Sequence, residues 1–129
     1  MPVLLFSESF IQISYNAEEN WVYANWIGFQ TVKSVKEGCE QILQALIDES
    51  CHKVLNDNTH VEGIWSGAAA WVGTEWFPRL SNAGIKCFAW VYSPSTFSQL
   101  STDKVLNHTK ESFVRVFYNI EEAKTWLRS

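Results

Sequence analysis

The chain has 129 residues, one domain by size (1–129) and long enough to bury a sizeable core. Its net charge is −4, and its ten Lys and Arg are scattered, so no basic stripe exists to bind a nucleic-acid backbone. No apolar run approaches the ~20 residues that a membrane span needs.

The start, Met1-Pro2-Val3-Leu4-Leu5-Phe6, lacks the basic residues of a signal peptide. Cys39, Cys51 and Cys87 are odd in number and widely spaced, which argues against a disulfide framework and for a reducing, cytoplasmic setting. Seven Trp and eight Phe are many for this length: they fill a core, line a pocket or form a partner patch.

Taken in order, Val3 to Phe6 reads as a short strand. Phe10, Ile11 and Ile13 alternate with polar residues, the turn-rich Asn16-Ala17-Glu18-Glu19-Asn20 follows, and Trp21 to Ile27 forms a second arm ending at Gly28. This is an antiparallel hairpin. Ser34 and Glu37 have capping-box spacing, and Val35, Cys39, Ile42, Leu43, Leu46 and Ile47 share one face at helical period.

The stretch from Lys53 to Asn82 organises the chain. Val54 and Leu55 are the apolar part of a buried strand, and a polar loop is expected from Asp57 to Gly63. Ser66 is placed to cap a helix whose stripe is Trp65, Ala69, Val72, Trp76 and Leu80. Pro78 should kink that helix, and Gly84 should end it in the left-handed conformation. Ile85 to Tyr92 reads as a central strand. Ser93-Pro94 should open a short helix anchored by Phe97 and Leu100. Ser112 to Tyr118 is a further strand, and Asn119 with Glu122 should cap a last helix that turns Ala123, Trp126 and Leu127 inward.

Strands alternating with helices after an N-terminal β-hairpin predict an α/β sandwich, a mixed sheet covered by helices. Val54-Leu55-Asn56-Asp57-Asn58, Trp71-Val72, Glu75 to Leu80, Ala83-Gly84-Ile85-Lys86 and Ala89-Trp90-Val91 resemble the SpoIIAA-like family. So does the close, Phe117-Tyr118-Asn119-Ile120-Glu121-Glu122-Ala123 followed by Trp126-Leu127. The resemblance implies a STAS-type fold, related to anti-sigma-factor antagonists and often compared with lipid-binding CRAL-TRIO domains. In those antagonists a serine just after the strand's aspartate is phosphorylated by a partner kinase. Asp57-Asn58-Thr59 holds the matching place here, which makes Thr59 the nearest acceptor, although the expected Ser-Gly pair is missing and Ser66 comes only after His60 to Trp65.

Other chemistry is weakly marked. His52, His60 and Asp57 match no metal spacing, Ser66-Gly67 alone is no phosphate loop, and no Cys carries a nucleophile signature. The sequence therefore reads as non-enzymatic, with no cofactor and no metal. One expectation is a regulatory module that binds a protein partner through Asp57, Asn58, Thr59 and Ser66, the 57–66 loop and the following helix. The other is a carrier of a small apolar or lipid-like ligand among Trp65, Trp71, Trp76 and Phe97. A homodimer through exposed aromatic residues fits either.

Overall fold

The computed structural model describes residues 1–129. Six strands lie side by side in one sheet in the order of the chain: β1 (Val3–Glu8), β2 (Ile11–Asn16), β3 (Trp21–Phe29), β4 (Lys53–Glu62), β5 (Cys87–Val91) and β6 (Val114–Phe117). β1, β2 and β3 are antiparallel neighbours, and β3 through β6 run parallel. Four helices complete the α/β fold: α1 (Val32–Asp48), α2 (66–82), α3 (Thr96–Asn107) and α4 (Ile120–Arg128).

The chain steps across the sheet one strand at a time in one direction. Crossovers of one hand then place α1, α2 and α3 on the same face. They bury the larger core there, from Ile11 and Ile13 through Trp26, Ile42, Val54, Phe77 and Phe88 to Val105. Only α4, which follows the last strand, covers the other face, over Trp21, Leu55, Ala89, Val91 and Phe117. The Lys53 amine reaches from the start of β4 to donate to the Leu127 carbonyl, tying the end of α4 to the sheet.

The β2–β3 turn falls where Asn16 to Asn20 predict it. Asn20, at φ 57°, donates its N–H to Asn16 O at 2.7 Å. Helix α1 begins earlier than expected. Thr31 is its cap, accepting from Ser34 N at 3.0 Å while Ser34 Oγ accepts from Thr31 N at 2.9 Å, so Ser34 closes the box that it was expected to open. Ile47 is exposed, and Gly38 takes an inward place instead, because any Cβ there would overlap the Trp26 ring.

Helix α2 changes its winding three times: a 3₁₀ turn at Ser66–Ala68, an α turn at Ala69–Trp71, a π turn at Val72–Trp76 and an α segment at Phe77–Asn82. Trp65 occupies the position before the first turn, and Ser66 makes no cap hydrogen bond. The kink expected at Pro78 takes the form of the π turn. Wider winding relieves the crowding that a proline ring imposes on the turn before it. At the far end, Gly84 at φ +88° donates to Ser81 O at 3.0 Å and Ile85 donates to Leu80 O at 3.1 Å, which is a Schellman stop.

Two further expectations are corrected. Residues 57–62 are strand: β4 runs ten residues to Glu62, because β3 is long enough to pair with it through Ile27–His60, Gly28–Val61 and Phe29–Glu62. Helix α3 starts later than Ser93-Pro94 predict, with Ser95 before its first turn and Ser93 Oγ accepting from Ser95 N at 3.0 Å. It is seated on Ser98, Ser101, Thr102 and Val105, while Phe97 and Leu100 face solvent. Small hydroxyl residues let this helix lie close to its neighbours, and hydrophobic periodicity does not register them.

Candidate functional site

The carboxyl half of β4 alternates polar side chains between the two faces of the sheet. Asn56 and Asn58 turn towards the three helices, and Asp57 turns the other way. All three are buried. Between the pairs Asn25–Asp57 and Ile27–His60, two steps on β3 face three on β4. This bulge re-aims the strand, so that Val61 returns to the helix side while Thr59 and His60 stay exposed.

Asp57 is fully engaged. Its Oδ2 accepts the Tyr23 hydroxyl at 2.8 Å, and its Oδ1 accepts both the Thr59 backbone N–H at 2.9 Å and the Thr59 hydroxyl at 2.5 Å. Burial, and next the Asp57 acceptor, push the Tyr23 phenol well above its ordinary value. The result is a carboxylate held by three donors across the bulge, with the Thr59 hydroxyl at its outer rim.

On the helix side, Trp26 donates its indole N–H to Asn56 Oδ1 at 2.8 Å. Trp65 stacks on Trp90 with ring centres 6.1 Å apart, and Phe77 meets Phe88, Trp90 and Phe113 edge-on. Trp26, Trp65, Trp76 and Trp90, with Asn58 and Gln30, line a cavity of about 30 Å³ between α1, α2 and the sheet.

Hydroxyl groups close the strand end against α3. Ser93 Oγ donates to Val61 O at 2.6 Å, Ser98 Oγ donates to Gly63 O at 2.5 Å, and Ser101 Oγ accepts from Trp65 N at 3.0 Å. These bonds satisfy a backbone that leaves the sheet. Large side chains nearby are exposed: Phe29 is 74% exposed, Ile64 61%, Phe97 62% and Leu100 57%. The Phe29 ring lies against Gly63, at φ +72°, and Val32 against Gly67, so β3, α1, the β4 exit and α3 meet at one apolar rim.

Of the residues picked out in the sequence, Asp57, Asn58 and Thr59 stand together on β4, and Ser66 lies beyond the strand exit without joining the Asp57 cluster. Trp65 and Trp76 line the cavity. Trp71 does not: it lies at the surface of α2 under the Lys36 amine, 5.5 Å from the ring centre. Phe97 belongs to the exposed rim instead. Sequence reasoning does not reach Tyr23, Trp26, Asn56 and Trp90, which complete the two clusters, since Tyr23 and Trp26 meet Asp57 and Asn56 across adjacent strands and Trp90 meets Trp65, which lies beyond the β4 exit. The alternation around Asp57 is the signal that points to them. His52 Nδ1 pairs with Gly84 O at 2.9 Å, and no three His, Cys, Asp or Glu side chains gather as metal ligands. No helix is long and apolar enough to cross a membrane.

Among solved structures, the chain is similar to an uncharacterized protein from the DUF3478 family with a SpoIIAA-like fold, from Shewanella loihica PV-4. The likeness covers 98% of this chain and 95% of that one, at a TM-score of 0.51 and 16% identity. The fold is SpoIIAA-like. At that identity the likeness carries the architecture and nothing of the chemistry. No family model and no curated protein matches the sequence.

Proposed function

We propose that this SpoIIAA-like domain is a non-enzymatic interaction module that binds a protein partner at the carboxyl edge of its sheet. The observation that carries the reading is the reversed α3: its small hydroxyl residues face inward, Ser98 onto Gly63 at the β4 exit, while Phe97 and Leu100 stand in solvent, as do Ile64 just past that exit and Phe29 at the end of β3. Large apolar side chains exposed at one end of a fold support an interface there. Asp57 spends its acceptors on Tyr23 and Thr59, which suits a structural carboxylate better than a base. Thr59 gives the edge a means of regulation. A phosphate there would remove the hydroxyl's donation to Asp57 and set about −1.5 to −2 charges beside that carboxylate, which would repel the two and open the bulge.

The test is affinity capture with the wild-type chain, with Ile64→Ser/Phe97→Ser, and with Val3→Ser on the far edge of the sheet as a control. The expected result is one set of partners retained by wild type and Val3→Ser and lost by the edge variant. Equal capture by all three would sink the reading. Sedimentation of the purified chain separates a second copy of itself from a different partner, and a Thr59→Glu variant that keeps every partner would remove the phospho-regulation.

A further inference from the structure

Trp65, Trp76 and Trp90 line one small cavity at 7%, 2% and 3% exposure, and each has its indole Nε1 buried with no acceptor in the chain. One such orphaned donor is an ordinary imperfection. A buried donor without a partner is destabilising, so three around one cavity are a feature that needs an account. Trp26, the fourth indole of the lining, shows how the protein satisfies such a group when it can, by donating to Asn56. The winding of α2 adds a second mark. Val72 and Trp76, the two ends of the π turn, both line the cavity, and single π turns inside helices occur frequently at functional sites.

We propose that this cavity binds a small neutral molecule through a hydrogen-bond-accepting oxygen, of the ketone, amide or ether class, held by the indole N–H groups of Trp65, Trp76 and Trp90. Charge and polarity together select that class. None of the 11 lining residues is a Lys, Arg or His, so a carboxylate or phosphate would be buried with no opposite charge. A pure hydrocarbon would leave all three donors unmet. A neutral oxygen carries no charge and its two lone pairs meet two of the three donors, while the surrounding rings and aliphatic groups receive an apolar body. The room, about 30 Å³, takes an acceptor group or a water or two, so a larger body must displace the π turn or project towards Gln30 and Val35 on α1. This differs from a lipid carrier in size, and it is independent of the apolar rim at the sheet edge.

The experiment is a titration of protein with ¹⁵N-labelled tryptophan, reading each indole N–H cross-peak. The probes are cyclopentanone, methylcyclopentane as a match in shape without the oxygen, and cyclopentanecarboxylate as the charged counterpart. Single Trp→Phe variants assign the peaks. The expected result is a saturable downfield shift of at least two of the Trp65, Trp76 and Trp90 signals with cyclopentanone alone, with Trp71 unmoved. Trp76→Phe, its fold verified by the rest of its spectrum, should bind about 2- to 10-fold more weakly, the worth of one neutral hydrogen bond. Ile64→Ser/Phe97→Ser should bind as wild type does, which keeps this outcome separate from the partner surface. No saturable shift with any probe would mean a solvent site only and would overturn the proposal. Equal response to methylcyclopentane, or preference for the carboxylate, would overturn it as well.

Discussion

On one face of the sheet three helices close over a core that runs from Ile11 on β2 to Val105 on α3, with rings meeting at 5.4 to 6.1 Å. On the other, the nine-residue α4 alone covers Trp21, Leu55, Ala89, Val91 and Phe117, and the strands nearer the hairpin keep half-exposed residues such as Tyr23 and Ile27. The difference follows from strand order. A chain that steps one strand at a time in one direction sends every crossover helix to one side, and the second side receives what is left after the last strand. The two faces therefore carry different duties: stability and a small Trp-lined cavity on one, and a polar cluster with the exposed Thr59 on the other.

The largest expected effect tests that division of stability. Phe77→Ala should cost about 3–5 kcal/mol, because Phe77 is wholly buried and meets Trp76, Phe88, Trp90 and Phe113. Trp126→Ala on the α4 face, where the ring is half-buried and meets Phe117 at 5.7 Å, should cost about 1 kcal/mol. Equal losses in urea titrations of the two variants would break the comparison.

Gly38→Ala comes next, at about 1–3 kcal/mol of overpacking, since the new methyl must displace the Trp26 ring and its bond to Asn56. Gly67→Ala is the contrast. Its methyl would meet Val32 Cγ2 at 3.4 Å, an ordinary contact, so its stability should match wild type within about 0.5 kcal/mol.

The polar cluster on the second face predicts a pH dependence. Tyr23 in this cluster, and Tyr92 just past β5, whose hydroxyl donates to Asp103 on α3, both have folded-state values raised from 10.0, first by burial and then by the acceptors Asp57 and Asp103. A raised value means that the unfolded chain loses the proton first. The contribution is thus complete below about pH 10 and is lost as pH rises above it. Cys39 and Cys51, whose thiols burial raises from 9.0, act in the same direction from about pH 9. Tyr23→Phe should therefore lower stability near neutrality by about 1.5–3 kcal/mol, the worth of a hydrogen bond to a charged group, and flatten the alkaline fall. An unchanged alkaline slope in thermal melts between pH 8 and 11 would contradict the Tyr23–Asp57 bond.

The smallest effect belongs to the rim. Phe97→Ser and Leu100→Ser should each change stability by no more than about 0.5 kcal/mol, as exposed side chains do. A large loss would return α3 to the core, where its hydrophobic residues first suggested that it belonged.

What the chain alone determined is the set of features written over short distances. The hairpin turn at Asn16 to Asn20, the Asn119 cap with its 2.8 Å bond to Glu121 N, the Gly84 stop and the alternation of strands with helices all depend on neighbours within a few residues. The resemblance carried by Val54 to Asn58 and by the Glu-Glu-Ala close reached the SpoIIAA-like architecture. Tertiary structure decided what depends on partners far along the chain. β4 continues past Asp57 because β3 is there to pair with it, and Ser98 and Ser101 face inward because Gly63 and Trp65 need hydrogen-bonding partners. The cavity joins indoles from β3, the β4 exit, α2 and β5, which stand up to 64 residues apart in sequence, from Trp26 to Trp90. Periodicity reports which side of an element is apolar. It holds no information on which element will lie opposite, and the site is made there.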